Sequence, residues 1–267
     1  MPKYAILSDI HSNLEALTAV LDKCRVLDSE MRYISLGDIV GYNANPRECL
    51  DIVRGLNCVS MVLGNHDEYV GSDDEGMEGF NPSARAAVLW TRKHLTEEER
   101  RYVSSTRYRE LVYGTNITLV HATLDSPEQW GYIFDLHHAI SNFSYQFSQV
   151  CFCGHSHIPA AFQRNSIDSG GGDRYSEITS WLTGAEENFE QENASEVKLE
   201  VGHKYLFNIG SIGQPRSRDP RASFAVYDTS AMTVTRYRIP YDIATAQQKV
   251  LKAGLPERLA VRLALGA

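Results

Sequence analysis

Histidines, carboxylates and an asparagine stand in this chain at the ends of short apolar runs. "KYAIL" is followed by Ser8-Asp9-Ile10-His11, "RYISL" by Gly37-Asp38 and "VSMVL" by Gly64-Asn65-His66. "NITLV" is followed by His121, and "VCFC" by Gly154-His155-Ser156-His157. Neutral imidazole and carboxylate together suit borderline divalent metals such as Mn, Fe, Zn or Ni. Asp9 and His11 are two residues apart, as are His155 and His157. In an extended backbone that spacing points both side chains of a pair to one side. A single D-x-H or G-D is commonplace, and one histidine such as His121 is more often a satisfied buried residue than a ligand. Independent turns, however, have no reason to repeat ligand chemistry at successive strand ends, so the ordered set reads as one site.

The runs themselves are short and nearly continuously apolar, the pattern of strands buried on both faces. Leu14, Leu17, Val20 and Leu21 recur at helical spacing after Ser12, which serves as the expected N-cap. "PRECLDIVRGL" follows Asn45, with Pro46 in the first turn and Gly55 near the end. Strand–helix–strand–helix–strand is the layered α/β signature, and from this pattern alone a single open sheet is expected. In such sheets ligands sit outside the carboxyl ends of the strands, which would gather Asp9 through His157 in space.

Later segments differ in character. Residues 71–113 hold an acidic, glycine-containing loop and then two helical patterns, "SARAAVLWTRKHL" and "TEEERRYVSS", each opened by Ser or Thr. This insertion is expected to cap the strand ends. A further helix is expected over Leu136–Phe147. The stretch at about 164–196 reads as an elaborated hairpin or loop excursion. "KYLFNIG", "SFAVYD" and "TVTRYRI" then read as strands. The tail is helical, stopped at Gly254 and restarted at Pro256, with its apolar face on the body. One domain over residues 1–267 is expected.

Composition narrows the function. With 43% hydrophobic and 22% charged residues in 267, the chain is of ordinary globular type. No apolar run approaches the roughly 20 residues of a membrane span, and the N-terminus lacks a signal-peptide core, so a cytoplasmic location is expected. The five cysteines are odd in number and form no C-x-x-C pair, which argues against a disulfide framework or zinc ribbon. Cys151 and Cys153 read as small hydrophobes of a strand. A net charge of −8 argues against broad nucleic-acid binding, while a local metal site remains compatible with a phosphate ligand.

The series D-x-H (Asp9, His11), G-D (Asp38), G-N-H-D (Gly64 to Asp67), a later H (His121) and G-H-S-H (Gly154 to His157) resembles the motifs of the calcineurin-like metallophosphoesterases. "NIGSIGQPR", Asn208 to Arg216, is similar to the strand-loop after G-H-x-H in their small bacterial and archaeal phosphodiesterase-like members. The resemblance implies an α/β fold of two mixed β-sheets forming a sandwich flanked by helices, with the strands from Lys204 onward supplying the second sheet. It implies two divalent metal ions, of Mn, Fe, Zn or Ni: Asp9, His11 and His157 on one, Asn65, His121 and His155 on the other, and Asp38 bridging both. It further implies hydrolysis of phosphate esters, most readily phosphodiesters, by a dinuclear-metal-bound hydroxide, on a small nucleotide-like substrate.

Beside Asn65, His66 is placed to stabilise developing charge or to protonate a leaving group. Asp67 either orients His66 or is a surface turn residue. Asn13 either contacts phosphate or starts a helix. Arg216 either reaches a substrate phosphate or belongs with Arg218 and Arg221 to a solvated loop. His94, His137, His138 and His203 lie off the motif pattern, although His137 and His138 sit where a cap could face the site. Serine/threonine phosphatases and symmetric dinucleoside polyphosphatases carry G-D-x-x-D-R-G, where this chain has "GDIVGYN". Asp38 is kept, the second Asp and the Arg are absent, and protein or nucleotide phosphatase activity stands as the alternative. A non-catalytic scaffold is less favoured, since every ligand position is filled.

Overall fold

The computed structural model describes residues 2–73, 77, 80–165, 173–182 and 188–267. The first half runs β1 (Lys3–Leu7), α1 (Leu14–Leu27), β2 (Arg32–Ser35), α2 (Pro46–Gly55), β3 (Ser60–Met61), α3 (Asn65–Gly71), α4 (Pro82–His94), α5 (Glu97–Val103), β4 (Arg109–Leu111), β5 (Ile117–Val120), α6 (Leu136–Phe143) and β6 (Val150–Cys153). It continues with β7 (Ala160–Asn165), β8 (Arg174–Glu177), β9 (Asn193–Lys198), β10 (Lys204–Asn208), β11 (Ala222–Asp228), β12 (Thr233–Ile239), α7 (Ile243–Lys252) and α8 (Glu257–Leu265).

These strands build two six-stranded mixed sheets, ordered β3-β2-β1-β11-β12-β9 and β4-β5-β6-β10-β7-β8. The strand-to-helix pattern at the start makes β1, β2 and β3 parallel neighbours, and β5, β6 and β10 are parallel in the other sheet. Ile6, Ile34 and Ala225 from one sheet pack with Leu119, Phe152 and Phe207 from the other in a shared apolar core. Alternation along β11 explains its place: Ala225 and Tyr227 enter this core, while Phe224 and Val226 turn outward beneath α1. The expected sandwich is therefore present, and the single open sheet is not.

Several local expectations are corrected. The late strands do not form the second sheet together; β10 lies inside it, whereas β11 pairs antiparallel with β1 and carries β12 with it. "VSMVL" pairs with β2 only over Ser60–Met61, half-buried at a sheet edge, with Val62 bridged to Arg107. Helix α1 is capped by Asn13, not Ser12, because the Asn13 side chain accepts the Ala16 N–H. Helix α4 starts from Asn81 with Pro82 in its first turn, and not from Ser83. Thr96 does open α5, through a reciprocal capping box with Glu99. Helix α6 stops at Phe143 and not at residue 147, since the Gln146 amide donates to the Ser148 and Tyr205 carbonyls and draws the chain toward β10.

Within 71–113, α5 packs on α3, and β4 edges the second sheet beside β5. Within 164–196, β8 closes a hairpin on β7 and β9 joins the edge of the opposite sheet beside β12. The remaining parts of those two segments, 74–76, 78–79, 166–172 and 183–187, lie outside the described residues. The tail behaves as expected: Gly254 takes φ +70° between α7 and α8, and Leu255 and Leu259 pack with Ala84 and Ala87 of α4. Cys151 and Cys153 are buried thiols in the apolar layer under α6. No described helix is long and apolar enough to cross a membrane.

Candidate metal centre and its cavity

The carboxyl ends of the parallel strands in both sheets meet at one edge, and the chain turns sharply there. Asp9, His11, Asp38, His155 and His157 all lie in the left-handed region, with φ of 52°, 49°, 54°, 65° and 60°. Non-glycine residues occupy that region rarely, and they cluster at functional sites. This corrects the extended-backbone argument for the Asp9/His11 and His155/His157 pairs. Their side chains converge because each strand end curls, not because alternate residues of a strand share a face. Gly64 is demanded by closeness: a Cβ there would stand 2.2 Å from Asp38 Oδ1.

Four ligand atoms from Asp9, His11, Asp38 and His157 lie within 4.8 Å of one another, all buried. His157 Nε2 is 3.1 Å from Asp9 Oδ1, and His11 Nε2 is 3.5 Å from Asp38 Oδ2. His121 joins them, with Nε2 at 3.3 Å from Asp38 Oδ2 and 4.0 Å from Asp9 Oδ1. The outer nitrogens fix the tautomers. Nδ1 of His11, His121 and His157 donates to the carbonyls of Val40, Leu36 and Gln214 at 3.0, 2.7 and 2.6 Å. That turns each Nε2 inward, the usual arrangement of a ligating histidine. His155 is set the other way: Nε2 donates to the Trp130 carbonyl at 2.9 Å, which keeps Nδ1 as its acceptor.

Asp9 Oδ1, Asp38 Oδ2, Asn65 Oδ1 and His121 Nε2 are buried without a hydrogen-bond partner. Buried polar atoms are rarely left so, because each costs about 1–3 kcal/mol. Four of them on Asp, Asn and His side chains fit a cation site, and the oxygen and nitrogen donors suit a borderline divalent ion.

Charge in the ion-free centre is distributed unequally. Burial opposes ionisation of Asp9, yet His157 and His121 outweigh it and hold the carboxyl well below the usual range. Asp38 behaves alike, with burial overcome by His121 and His66. For His121 burial is overcome by Asp38 and Asp9, which push it up to about 9. Burial pushes His11 well below its ordinary value, His155 down to about 3, and His157 down as well, the last helped by Arg216. At neutral pH the centre therefore holds two carboxylates, one imidazolium and three neutral imidazoles.

His66 stands beside this cluster on the first turn of α3. Its backbone N–H donates to Asp38 Oδ1 at 2.8 Å, and its ring lies 4.4 Å from Tyr42 and 4.8 Å from His11. Gly41, at φ +95°, gives the ring its room, since a Cβ there would meet His66 Nδ1 at 2.5 Å. Burial pushes His66 down to about 4. Asp67 takes neither of its expected roles. It is buried, and its carboxylate accepts the N–H groups of Ile39 and Val40 at 3.2 Å each. Asn13 is engaged at both ends of its amide, by Ala16 N–H and by the Gly213 carbonyl at 3.0 Å, which is the helix-start alternative.

A cavity of about 360 Å³ opens over Asn65 and His66 and is lined by Tyr42, Phe80, Tyr132, Arg216, Arg258 and Arg262 among others. Arg216 thus separates from its neighbours in the loop: Arg221 is buried in an ion pair with Asp219 at 2.6 Å, and only Arg218 is exposed. Sequence reasoning missed Arg258 and Arg262, on a tail helix of which only the apolar face was considered. Their spacing of four, which puts both on one face of α8, was the available signal. It also missed Tyr132, whose ring stacks on His155 at 4.3 Å. His137 and His138 line a neighbouring cavity of about 470 Å³ that shares the Tyr132 wall.

A buried carboxylate–imidazole centre, set where parallel strands of two sheets end together, has the donor set and position of a hydrolytic metal site. Residues 3–232 match the calcineurin-like phosphoesterase superfamily domain, and the chain belongs to that family. It is 36% identical over 265 residues to an uncharacterized protein of Methanocaldococcus jannaschii, covering 98% of this chain and 97% of that one. A metallophosphoesterase from Sphaerobacter thermophilus superposes with a TM-score of 0.78 at 35% identity, over 100% of this chain and 99% of the other. A hypothetical protein from Pyrococcus horikoshii OT3 shares the fold, with a TM-score of 0.75 at 20% identity over 100% and 99% of the two chains.

Proposed function

We propose that the protein is a phosphodiesterase of small, nucleotide-like esters, working with two divalent ions. Asp9, His11 and His157 would hold one ion, Asn65, His121 and His155 the other, with Asp38 between them. The observation that carries this is the set of buried atoms without partners: His121 Nε2 within 4.0 Å of Asp9 Oδ1 and 3.3 Å of Asp38 Oδ2, with Asn65 Oδ1 also buried and unpartnered. Two divalent ions there would neutralise phosphoryl charge and make water a nucleophile at neutral pH.

The remaining roles belong to the chain. Asp67 fixes the Ile39–Val40 backbone, and the Val40 carbonyl in turn orients His11. His66 is neutral at pH 7, so it serves as a hydrogen-bond donor to the departing oxygen and not as an imidazolium acid. Arg216 faces the same cavity as His66 and offers its guanidinium to phosphate oxygens of the bound substrate. A diester is favoured over a phosphoprotein because position 42 carries tyrosine and the cavity beyond His66 has room for a second ester arm. The free cysteines suit a reducing compartment, consistent with a cytoplasmic enzyme.

The test is turnover of 4-nitrophenyl phenyl phosphate by protein loaded with manganese, with Asp38→Asn as the inactive control. Protein that binds two ions per chain and hydrolyses neither mono- nor diesters is a scaffold, and that result overturns the proposal.

A further inference from the structure

We propose that Arg216, Arg258 and Arg262 form a subsite for a second phosphoryl group of the substrate, distinct from the phosphorus under attack. This rests on the phosphoesterase reading and names the substrate class more closely: a phosphodiester whose non-leaving arm carries a terminal phosphate.

The three guanidiniums come from two distant parts of the chain, the loop after β10 and the face of α8, and converge on one cavity. No acidic side chain lines that cavity among the described residues, although the chain as a whole carries a charge of −8. None of the three pairs with an Asp or Glu side chain there either. Arg216 Nη2 donates to the Tyr42 hydroxyl and to Gln214 Oε1, each at 3.1 Å, while its Nε is buried without a partner. Arg262 donates from Nε to the main-chain oxygen of Ala267. Burial, then Arg216 and Arg258, push Arg262 below its ordinary value, so the cations are close enough to repel.

Packing alone does not account for this arrangement. Two arginines that this fold buries for structure, Arg221 and Arg238, share the carboxylate of Asp219 at 2.6 and 3.1 Å. Three forks with no Asp or Glu partner among the described residues are matched to an oxyanion that arrives from outside, and guanidinium binds phosphate bidentately. Asn65 and His66 line the same cavity, so the bound group can remain attached to an ester at the metal centre.

The test uses the metal-loaded full chain and two diesters that share a 4-nitrophenolate leaving group, one with a phenyl second arm and one whose arm ends in phosphate. Affinities of their non-cleavable methylenephosphonate analogues are measured by calorimetry, so the subsite is read whether or not turnover occurs. The expected result is at least tenfold tighter binding of the phosphate-bearing analogue, lost in Arg258→Gln/Arg262→Gln and partly kept in Arg258→Lys/Arg262→Lys. Equal affinities in the wild type, or an advantage that survives the double glutamine variant with an unchanged melting temperature, would overturn the proposal. Turnover of the phenyl diester reports separately on the phosphoesterase reading.

Discussion

Arg216 Nη2 donates to the Tyr42 hydroxyl at 3.1 Å, and the guanidinium lies 5.7 Å from the centre of the same ring. The ring in turn lies 4.6 Å from His11 and 4.4 Å from His66. Tyr42 therefore couples an arginine from the loop after β10 to the histidines at the metal centre. The "GDIVGYN" segment has lost the arginine of G-D-x-x-D-R-G, and a guanidinium reaches the same corner from residue 216 instead.

Replacement of Tyr42 by phenylalanine keeps the ring against His66 and removes only the acceptor. Arg216 then retains Gln214 as its neutral partner. A hydrogen bond to a charged group contributes about 1.5–3 kcal/mol, part of which solvent restores here. We expect kcat/KM for an aryl diester to fall about five- to tenfold, mostly through KM. No change would mean that the contact does not position Arg216.

Asp38 distinguishes metal binding from stability. Its Oδ1 accepts the His66 N–H at 2.8 Å, while Oδ2 is unpartnered and faces His11 and His121. Asp38→Asn keeps an acceptor for the N–H but loses the charge, so metal content per chain should drop and activity should fall more than a thousandfold. Asp38→Ala also strands the His66 N–H and should cost a further 1–3 kcal/mol or so in urea unfolding of the metal-free protein. Elemental analysis and denaturation read the two effects separately.

Metal uptake should release a proton from His121. Asp38 and Asp9 overcome burial and push this imidazole up to about 9 in the ion-free protein, so it is charged at pH 7, and a cation must displace that proton to reach Nε2. A raised histidine pKa makes protonation favour the ion-free folded state below about 9. Apparent metal affinity should thus rise close to tenfold per pH unit between pH 6.5 and 8, and binding heats should vary with the ionisation enthalpy of the buffer. A flat profile would show that His121 is already neutral.

The candidate ligand series was legible because each of its residues follows a parallel strand, and buried parallel strands announce themselves as unbroken apolar runs. What the pattern could not convey was the geometry of the turns. The left-handed conformations of Asp9, His11 and His157 follow from tertiary closure of two sheets around one point, which local spacing does not encode. Strand order was opaque for the same reason: β10 and β11 are consecutive runs that both alternate between two apolar layers, and only the pairing of β11 with β1 assigns it to the first sheet. Asp67 read either as orienting His66 or as a turn residue because its partners, the N–H groups of Ile39 and Val40, are 28 and 27 positions away.

Those two bonds make Asp67 a positioning residue for His11. Asp67→Ala leaves two buried N–H groups unpaired, at about 1–3 kcal/mol each, and frees the segment whose Val40 carbonyl holds His11 Nδ1. We expect a loss of about 2–5 kcal/mol in urea unfolding together with weaker metal binding. Asp67→Asn, which can still accept one N–H, should recover part of both. Recovery of stability without recovery of metal affinity would separate Asp67 from the His11 linkage.

His66 offers the sharpest mechanistic test, because its charge state selects between two roles. Burial holds the ring down to about 4, with Asp38 only partly opposing, so at pH 7 it is neutral. A depressed histidine pKa means that the neutral form persists down to about pH 4. A required imidazolium would instead make the rate fall as pH rises through the ordinary histidine range. We expect no such falling limb between pH 6 and 8 for an alkyl phosphodiester. His66→Ala should keep its full metal content, since the residue contributes no ligand atom in the proposed centre. It should lose about 10²–10³ in kcat on alkyl leaving groups, the size expected for a lost charge-stabilising donor, and far less on 4-nitrophenolate, which needs little help to depart. Gly41→Ala, whose methyl would press on His66 Nδ1, should show the same dependence on leaving group in weaker form. Equal losses on alkyl and aryl esters would remove His66 from leaving-group stabilisation and assign it to binding alone.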